Sequence, residues 1–205
     1  MKLKIIGASG HGRVVADIAA LLGYDEIEFY DDDPSLQTCG GWPVVGVSGD
    51  CDPADSRVFV AIGRPEVRRR LMAAMDGAEM PVLVHPRAVV ARDVRLGRGS
   101  VVMAGAVVNP GARLGQGVII NTCASVDHDC VLEDYVHIAV GAHLCGADRI
   151  GARTWVGAGA TVSNNVEICA DCMIGAGSVV VRSITRPGVY FGVPAALHRQ
   201  MEDRL

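Results

Sequence analysis

From Val84 to Val180 an aliphatic residue occupies every sixth position: Val84, Val90, Leu96, Val102, Val108, Leu114, Ile120, Val126, Leu132, Ile138, Leu144, Ile150, Val156, Val162, Ile168, Ile174 and Val180. All seventeen positions on that spacing are Ile, Leu or Val, although these types make up only 54 of the 205 residues. The position two before each aliphatic is mostly small, as at Ala88, Ser100, Ala106, Ala112, Ala124, Cys130, Ala142, Thr154, Ala160, Cys172 and Ser178, which predicts side chains pointing inward where little room is left. The position just after it is often Gly, Asn or Asp (Gly97, Asn109, Gly115, Asn121, Asp127, Gly151, Gly157, Gly175), types that tolerate the left-handed backbone of a tight corner. A period of six fits neither a helix at 3.6 nor a free strand at 2; it is the spacing of a parallel β-helix in which each hexad is a short strand plus a corner. Three hexads close one triangular coil, so residues eighteen apart stack at about 4.8 Å.

Ahead of the lattice the pattern changes. Lys2 to Ile6 is an apolar strand that runs into Gly7-Ala8-Ser9-Gly10-His11-Gly12, and Val14, Val15, Ile18, Leu21 and Leu22 then follow a helical period. Strand, glycine turn and helix is the arrangement in which free N–H groups and the helix dipole hold a phosphate, although the glycines read GxxGxG and not the dinucleotide order GxGxxG. Ile27 to Tyr30 ends in Asp31-Asp32-Asp33, where an α/β nucleotide fold often places an acid for ribose hydroxyls. Val58 to Ile62, ending at Gly63, reads as a buried strand, and Pro65 to Met75 as a helix opened by proline and carrying basic residues. Residues 1–82 are therefore expected to form a small Rossmann-like βαβαβ domain with a mostly parallel sheet. With half the strands of a full dinucleotide fold, it points to a mononucleotide-type ligand and away from hydride transfer. The parallel β-helix spans 83–185, and residues 186–205, opening with Arg186-Pro187-Gly188, form a cap or tail over its open end.

Half the residues are hydrophobic but only 4% aromatic, which suits a solenoid filled by aliphatic ladders. A net charge of -4 excludes an electrostatic case for nucleic acid or an anionic membrane. The start of the chain has no secretory h-region and no run of about 18 apolar residues occurs, so a cytoplasmic protein without membrane insertion is expected. Seven cysteines then read as reduced thiols. Cys169 and Cys172 form a lone CxxC, but they occupy different columns and are expected to point different ways, with neither zinc nor redox use; no metal is expected.

In a rigid rod, function is sought where polar groups interrupt the repeat. The stretch 121–146 carries Asn121, Asp127, His128, Asp129, Glu133, Asp134, His137 and His143. His128 followed by Asp129 beside a corner supplies a base and an acid to orient it. In the column above, Gly146 leaves room for a ligand to approach His128 and offers a backbone N–H for an oxyanion. His137 has Trp155 one coil along, a wall for an apolar or pantetheine-like arm. His85, His143 and His198 read as structural or surface groups.

The chain resembles the left-handed β-helix hexapeptide acyltransferases, and among them the bacterial sugar-nucleotide N-acetyltransferases that act on UDP-4-amino-sugars, close to the sialic acid O-acetyltransferases. The resemblance covers nearly the whole chain and rests on Gly7-Ala8-Ser9-Gly10-His11-Gly12, Asp31-Asp32, Ala61-Ile62-Gly63, Asn121-Thr122, His128-Asp129-Cys130-Val131, Val136-His137-Ile138-Ala139 and Phe191-Gly192-Val193-Pro194-Ala195. It implies the left hand of the helix, which general crossover rules would not favour. It implies acetyl-CoA as co-substrate and a nucleotide-linked amino sugar as acceptor, held by Ser9, Gly10, His11, Asp31, Asp32, Gly63 and Asn121. His128 is implied as the catalytic base and Asp129 as the acid that raises its basicity; many relatives carry Glu there, and the shorter aspartate leaves room for a weaker or reoriented contact. His137 is implied to contact acetyl-CoA, while the backbone at Gly146, Ala158 and Ala176 lines the CoA groove. Ala158 and Ala176 share one column and His128 lies in another, as expected if protomers of a homotrimer complete each other's sites. Two other readings stand beside this one: an O-acetyltransferase acting on sialic acid or another sugar hydroxyl, and a non-catalytic nucleotide-sugar-binding solenoid.

Overall fold

The structure, a computed structural model, describes residues 1–54 and 56–200. The N-terminal part is an α/β layer. Strand β1 (Lys2–Ile6) leads into helix α1 (Gly10–Leu21), followed by β2 (Glu26–Tyr30), β3 (Thr38–Cys39), β4 (Trp42–Gly46), β5 (Arg57–Val60) and helix α2 (Pro65–Ala74). The sheet order is β3-β4-β2-β1-β5, parallel throughout except for the antiparallel β3–β4 pair. Helix α1 lies on the sheet because Val15, Ala16, Ile18 and Ala19 form one apolar stripe, all buried. Gly12 is required at its start: a Cβ there would run into the Gly7 carbonyl. The βαβαβ expectation differs in two respects: β2 and β5 are linked by the β3–β4 hairpin and not by a second helix, and the chain after α2 joins the solenoid and not this sheet.

From Leu83–Val84 to Val179–Val180 the chain makes strands that recur every six residues, nearly all two residues long, in three parallel sheets whose registers run i to i+18. Val107 pairs Ser125, Arg113 pairs Val131 and Ile119 pairs His137. The lattice aliphatics Val102, Ile120, Ile138, Val156 and Ile174 form one continuous buried ladder with Val126, Leu144 and Val162. Each such side chain contributes about 1.5–3 kcal/mol of burial. On the sheet that begins at Leu83–Val84, the outward side chains Leu83, Val101, Met103 and Ile119 are buried against Leu3, Ile18 and Phe29. The two parts thus share one apolar seam.

The corners differ from expectation. Left-handed backbone falls three residues after each aliphatic from Leu96 to Ile174, at seven glycines such as Gly99, Gly105, Gly111 and Gly117 and also at Cys123, Asp129, Tyr135, Ala147, Arg153, Asn165 and Asp171, not at the position just after it. Glycines in that neighbouring column answer a different need. A Cβ at Gly97 or Gly151 would run into the backbone of the next coil, and one at Gly157 would lie 2.5 Å from the Ile174 carbonyl oxygen. Close stacking, not a positive φ, selects them.

The tail strand Gly188–Gly192 pairs in parallel with Cys172–Ile174, and Ala195–Gln200 returns antiparallel beside it. The last coil is thereby given partners for its edge groups. Residues 201–205 of the 186–205 tail lie outside the described residues.

Candidate active site

The corner between Ser125–Val126 and Val131–Leu132 carries His128. Asp127 Oδ1 accepts from the His128 backbone N–H at 2.7 Å and from Asn109 Nδ2, one coil earlier, at 2.7 Å, which sets the start of the corner. Asp129 takes the left-handed conformation (φ 60°) and turns its carboxylate onto the imidazole, Oδ2 to Nδ1 at 2.9 Å. Aspartate is therefore long enough for a full hydrogen bond. Gly111, one coil below, has no side chain where the Asp129 carboxylate sits. With Nδ1–H committed to Asp129, the lone pair of the neutral ring lies on Nε2. The hydrogen bond donated to Asp129, and next the charge of Asp127, hold His128 above the ordinary histidine value.

One coil on, Gly146 stacks against the ring: a Cβ there would lie 2.5 Å from His128 Nε2. Its neighbours' N–H groups are spent on the His128 and Val162 carbonyls, at 2.8 and 3.0 Å, while that of Gly146 has no acceptor among the described residues. Asp127, Cys145, Ala147, Asn164 and Asn165 complete an open cleft of ≈ 320 Å³ around the pair. Asn164 stands two coils from His128 in the same column, so the spacing that marked Gly146 would also have marked it.

His137, His11, Asn121 and Gly63 meet at the junction of the two parts. His137 is buried and stacks on Trp155 with ring centroids 4.3 Å apart; His11 is 6.4 Å from it. Asn121 Oδ1 accepts from Thr122 N at 2.8 Å, so its Nδ2 faces His137 Nε2 at 3.2 Å as donor. The His137 proton then belongs on Nδ1, a buried atom without a partner among the described residues, as is His11 Nε2. Gly63 lies against Trp155, where a Cβ would sit 3.8 Å from the indole. Burial pushes His137 down to about 3 and His11 to about 4, and the Arg68 cation adds to both. Both rings are neutral at pH 7.

Arg68, which the basic pattern of α2 did not single out, is the clamp of this junction. It is 1% exposed and donates to Gly117 O, Ile62 O, Gly63 O and Tyr135 O at 2.7, 2.7, 2.8 and 2.7 Å. Desolvation lowers it to about 10, so it remains charged.

At the C-terminal edge of the sheet, Ser9 caps α1 without a side-chain hydrogen bond, and among the described residues nothing stands within 4 Å of where a Gly10 Cβ would be. The first N–H groups of α1 are thus unblocked. Asp31 is partly engaged by the fold: its Oδ2 accepts from Ala8 N at 2.6 Å and its Oδ1 from Asp33 N at 3.0 Å. Asp32 Oδ1 accepts from Ser48 N and Oγ, which leaves Oδ2 without a bond among the described residues. Ala158 and Ala176 stack at another corner, where Gly177 N donates to Ala158 O at 2.8 Å, and the half-exposed Val140 stands in their column. The sheet containing Ser125–Val126 and His143–Leu144 separates that corner from the His128 corner.

Cys169 and Cys172 do not point apart; their sulfurs lie 3.5 Å from each other because Cys169 turns in beside the core. Among the described residues no group of three or more His, Cys, Asp or Glu is placed to hold a metal, and no helix is long and apolar enough to cross a membrane. His85 and His143 make local bonds, to Arg87 N and Ser125 Oγ, and His198 packs on Phe191. A larger open depression, ≈ 510 Å³, lies at Met1, Lys2, Arg57 and Glu79, where Arg57 and Glu79 are paired at 2.6 Å.

Residues 2–75 match the family described as PglD N-terminal domain, and residues 149–182 match the bacterial transferase hexapeptide repeat. The acetyltransferase domain of PglB from Neisseria gonorrhoeae is similar at 43% identity, with 96% of this chain and 98% of that chain covered and a TM-score of 0.92; a structure of that domain in complex with acetyl coenzyme A gives 44% and 0.91. PerB from Caulobacter crescentus, solved in complex with CoA and GDP-perosamine, is 38% identical over 96% of this chain and 97% of that one, with a TM-score of 0.89. GDP-perosamine N-acetyltransferase of Escherichia coli O157:H7 is 29% identical over 79% of this chain and 78% of its own length. Other curated relatives are matched over less of their length: the chain spans 28% of the UDP-3-O-acylglucosamine N-acyltransferase of Bordetella avium.

Proposed function

We propose, from the premise that the chain belongs to the left-handed β-helix hexapeptide acyltransferases and among them to the sugar-nucleotide N-acetyltransferases, that it moves acetyl from acetyl-CoA to the amine of a nucleotide-linked amino sugar by direct transfer. The observation that carries the reading is the His128 corner. Nδ1 is held by Asp129 while Nε2 faces a glycine whose N–H is uncommitted.

The sugar amine attacks the thioester carbonyl carbon, and as the C–N bond forms one of its protons passes to His128 Nε2. The carbonyl oxygen becomes an oxyanion, which the Gly146 N–H stabilises. Collapse breaks the C–S bond, and the sulfur leaves as the CoA thiol with the proton returned by His128. Asp129 keeps the ring in the required tautomer and stabilises its charged form.

The binding roles follow from the same geometry. The unblocked N-terminus of α1 at Ser9 and Gly10 suits a diphosphate, and the free Asp32 Oδ2, with Asp31 beside it, suits ribose hydroxyls. His11, Gly63 and Asn121 line the sugar side of the junction. His137, with its unpartnered Nδ1–H and its stack on Trp155, serves the acetyl-CoA side, and the backbone of Gly146, Ala158 and Ala176 lines the pantetheine groove. Because the Ala158 corner and the His128 corner lie at opposite edges of one sheet, we assign the working form as a homotrimer in which neighbours complete each groove. Its co-substrates and seven free thiols fit the cytoplasm.

The test is thiol release from acetyl-CoA with purified protein, offered UDP-, dTDP- and GDP-linked 4-amino sugars and a sialic acid in parallel, with light scattering on the same sample. Release with a nucleotide-linked amino sugar from a trimer is the expected result. Release only with sialic acid would transfer the assignment to a hydroxyl acceptor, and full turnover by a monomer would remove the shared site.

A further inference from the structure

Asp148 stands at the position where the lattice puts mostly small side chains and otherwise valine, and three of the small ones show what the position does. Ser100 Oγ accepts from Val118 N at 3.0 Å and donates to Gly115 O at 3.1 Å. Thr154 Oγ1 accepts from Cys172 N at 3.2 Å and donates to Cys169 O at 2.9 Å. Cys130 Sγ donates to Cys145 O at 3.1 Å. The two hydroxyls each take a hydrogen bond from the N–H eighteen residues on and give one to the carbonyl fifteen residues on, and the Cys130 thiol makes the second of these bonds.

Asp148 is 0% exposed, and its Oδ1 makes the first half of that pattern, accepting from Val166 N at 2.9 Å. Its Oδ2 is buried without a partner among the described residues. A carboxylate cannot make the second half because it has no proton to give, whereas a neutral carboxyl can. The carbonyl fifteen residues on belongs to Ser163, beside Asn164 and Asn165 of the His128 cleft. Asp148 itself follows Cys145, Gly146 and Ala147, the other wall of that cleft.

We propose that Asp148 is a positioning residue for the His128 cleft: it keeps a proton on its inward carboxyl and so ties the Cys145–Ala147 corner to the Asn164–Asn165 corner. The proposal rests on His128 as the base. The groups around Asp148 are compatible with a retained proton. Cys130, on the coil before, is pushed up to about 11 by burial, and Cys145 is also raised, so both thiols are neutral. Val166 and Ile184, in the same column on the coils after, are apolar and buried. Burial raises Asp148 to about 7; the Val166 N–H that its Oδ1 accepts pulls it down and the Asp127 charge adds to the rise. A carboxyl raised by folding stabilises the fold fully below its unfolded value, about 4, and loses that contribution as pH rises through about 7.

Four proteins test this: wild type, Asp148→Asn, Asp148→Thr (the side chain of Thr154, which makes both bonds without charge) and Asp148→Val. Between pH 5 and 9 the readouts are the heat-unfolding midpoint, the infrared band of protonated carboxyls, the NMR titration of the His128 ring and the kcat and KM of thiol release. In wild type the midpoint falls and the carboxyl band fades as pH rises through about 7, while Asp148→Asn and Asp148→Thr lack both changes and keep the wild-type His128 titration. Asp148→Val moves that titration and lowers kcat about tenfold with KM little changed, as misplacement of a catalytic group does. A wild type without a protonated carboxyl at pH 6 overturns the proposal, and so does a His128 titration that Asp148→Val leaves in place. If no variant folds, the wild-type band alone decides whether the proton is there. If no substrate is acetylated, the NMR and infrared readouts still judge Asp148, so the two readings fail separately.

Discussion

The molecule holds histidines in two opposite environments, and in the function proposed above the difference separates proton transfer from recognition. His128 sits on an outer corner, its side chain 60% exposed, with one carboxylate on its ring and a second beside its backbone. Those acids favour the charged form and raise its basicity. His11 and His137 lie at a buried junction with, among the described residues, no carboxylate on either ring and an arginine close by, and they are driven down to about 4 and about 3. Such rings do not exchange protons near neutrality. They keep one donor and one acceptor each, in fixed directions, which is what shape and hydrogen-bond recognition needs.

The comparison breaks most visibly at the exposed corner. His128→Ala is expected to lower kcat by about 10² to 10⁴, the usual contribution of a positioned base, while acetyl-CoA still binds by calorimetry; near-normal turnover would remove His128 from the chemistry. At the buried junction the expected effect is on cohesion. Arg68→Met strands the carbonyls of Gly117, Tyr135, Ile62 and Gly63 without a donor and should cost about 3 kcal/mol of stability, roughly 10² in the folding constant. Urea unfolding reads this directly. The kcat at saturating substrate should hold while the KM for the nucleotide sugar rises, and an unchanged unfolding midpoint would show that the junction is held by its apolar seam alone.

Much of this was legible because a solenoid repeats its constraints. Strict registers of eighteen mean that a spacing read along the chain is also a distance in space, and so Gly146 could be placed over His128 and Trp155 beside His137 before any coordinates. The rest was hidden for physical reasons. Small and polar types at a corner report two different needs, a positive φ and close stacking, and composition alone did not say which column served which; Gly97 and Gly151 are glycines for the second reason. The β3–β4 hairpin did carry a signal in Gly40-Gly41, both at positive φ between two short extended runs, but the runs are too brief to show alternation. Arg68 looked like its basic neighbours in α2, since only tertiary packing distinguishes a buried guanidinium from a solvated one. Asp148 broke the small-residue column openly, yet its meaning needed the hydrogen bonds of Ser100 and Thr154 for comparison.

The smallest expected effect gives the sharpest separation of the two histidine environments. His128 must be neutral to accept a proton, so activity rises with pH through its raised value and falls below it. Asp129→Asn replaces the carboxylate whose hydrogen bond is the first cause of that rise, and the acid limb of kcat/KM should move to lower pH, toward the ordinary histidine value. An amide can also present its NH₂ to Nδ1 and move the ring proton to Nε2, so kcat on the plateau should fall by about tenfold or more as the required tautomer is lost. His137→Gln, at the buried site, keeps a neutral hydrogen-bonding group and should leave the limb where it is, because a ring held near 3 does not titrate in the measured range. Its effect should appear in KM alone. A limb that moves in His137→Gln and stays in Asp129→Asn would reverse the assignment of the two sites, and the pH profile of those two variants is enough to decide it.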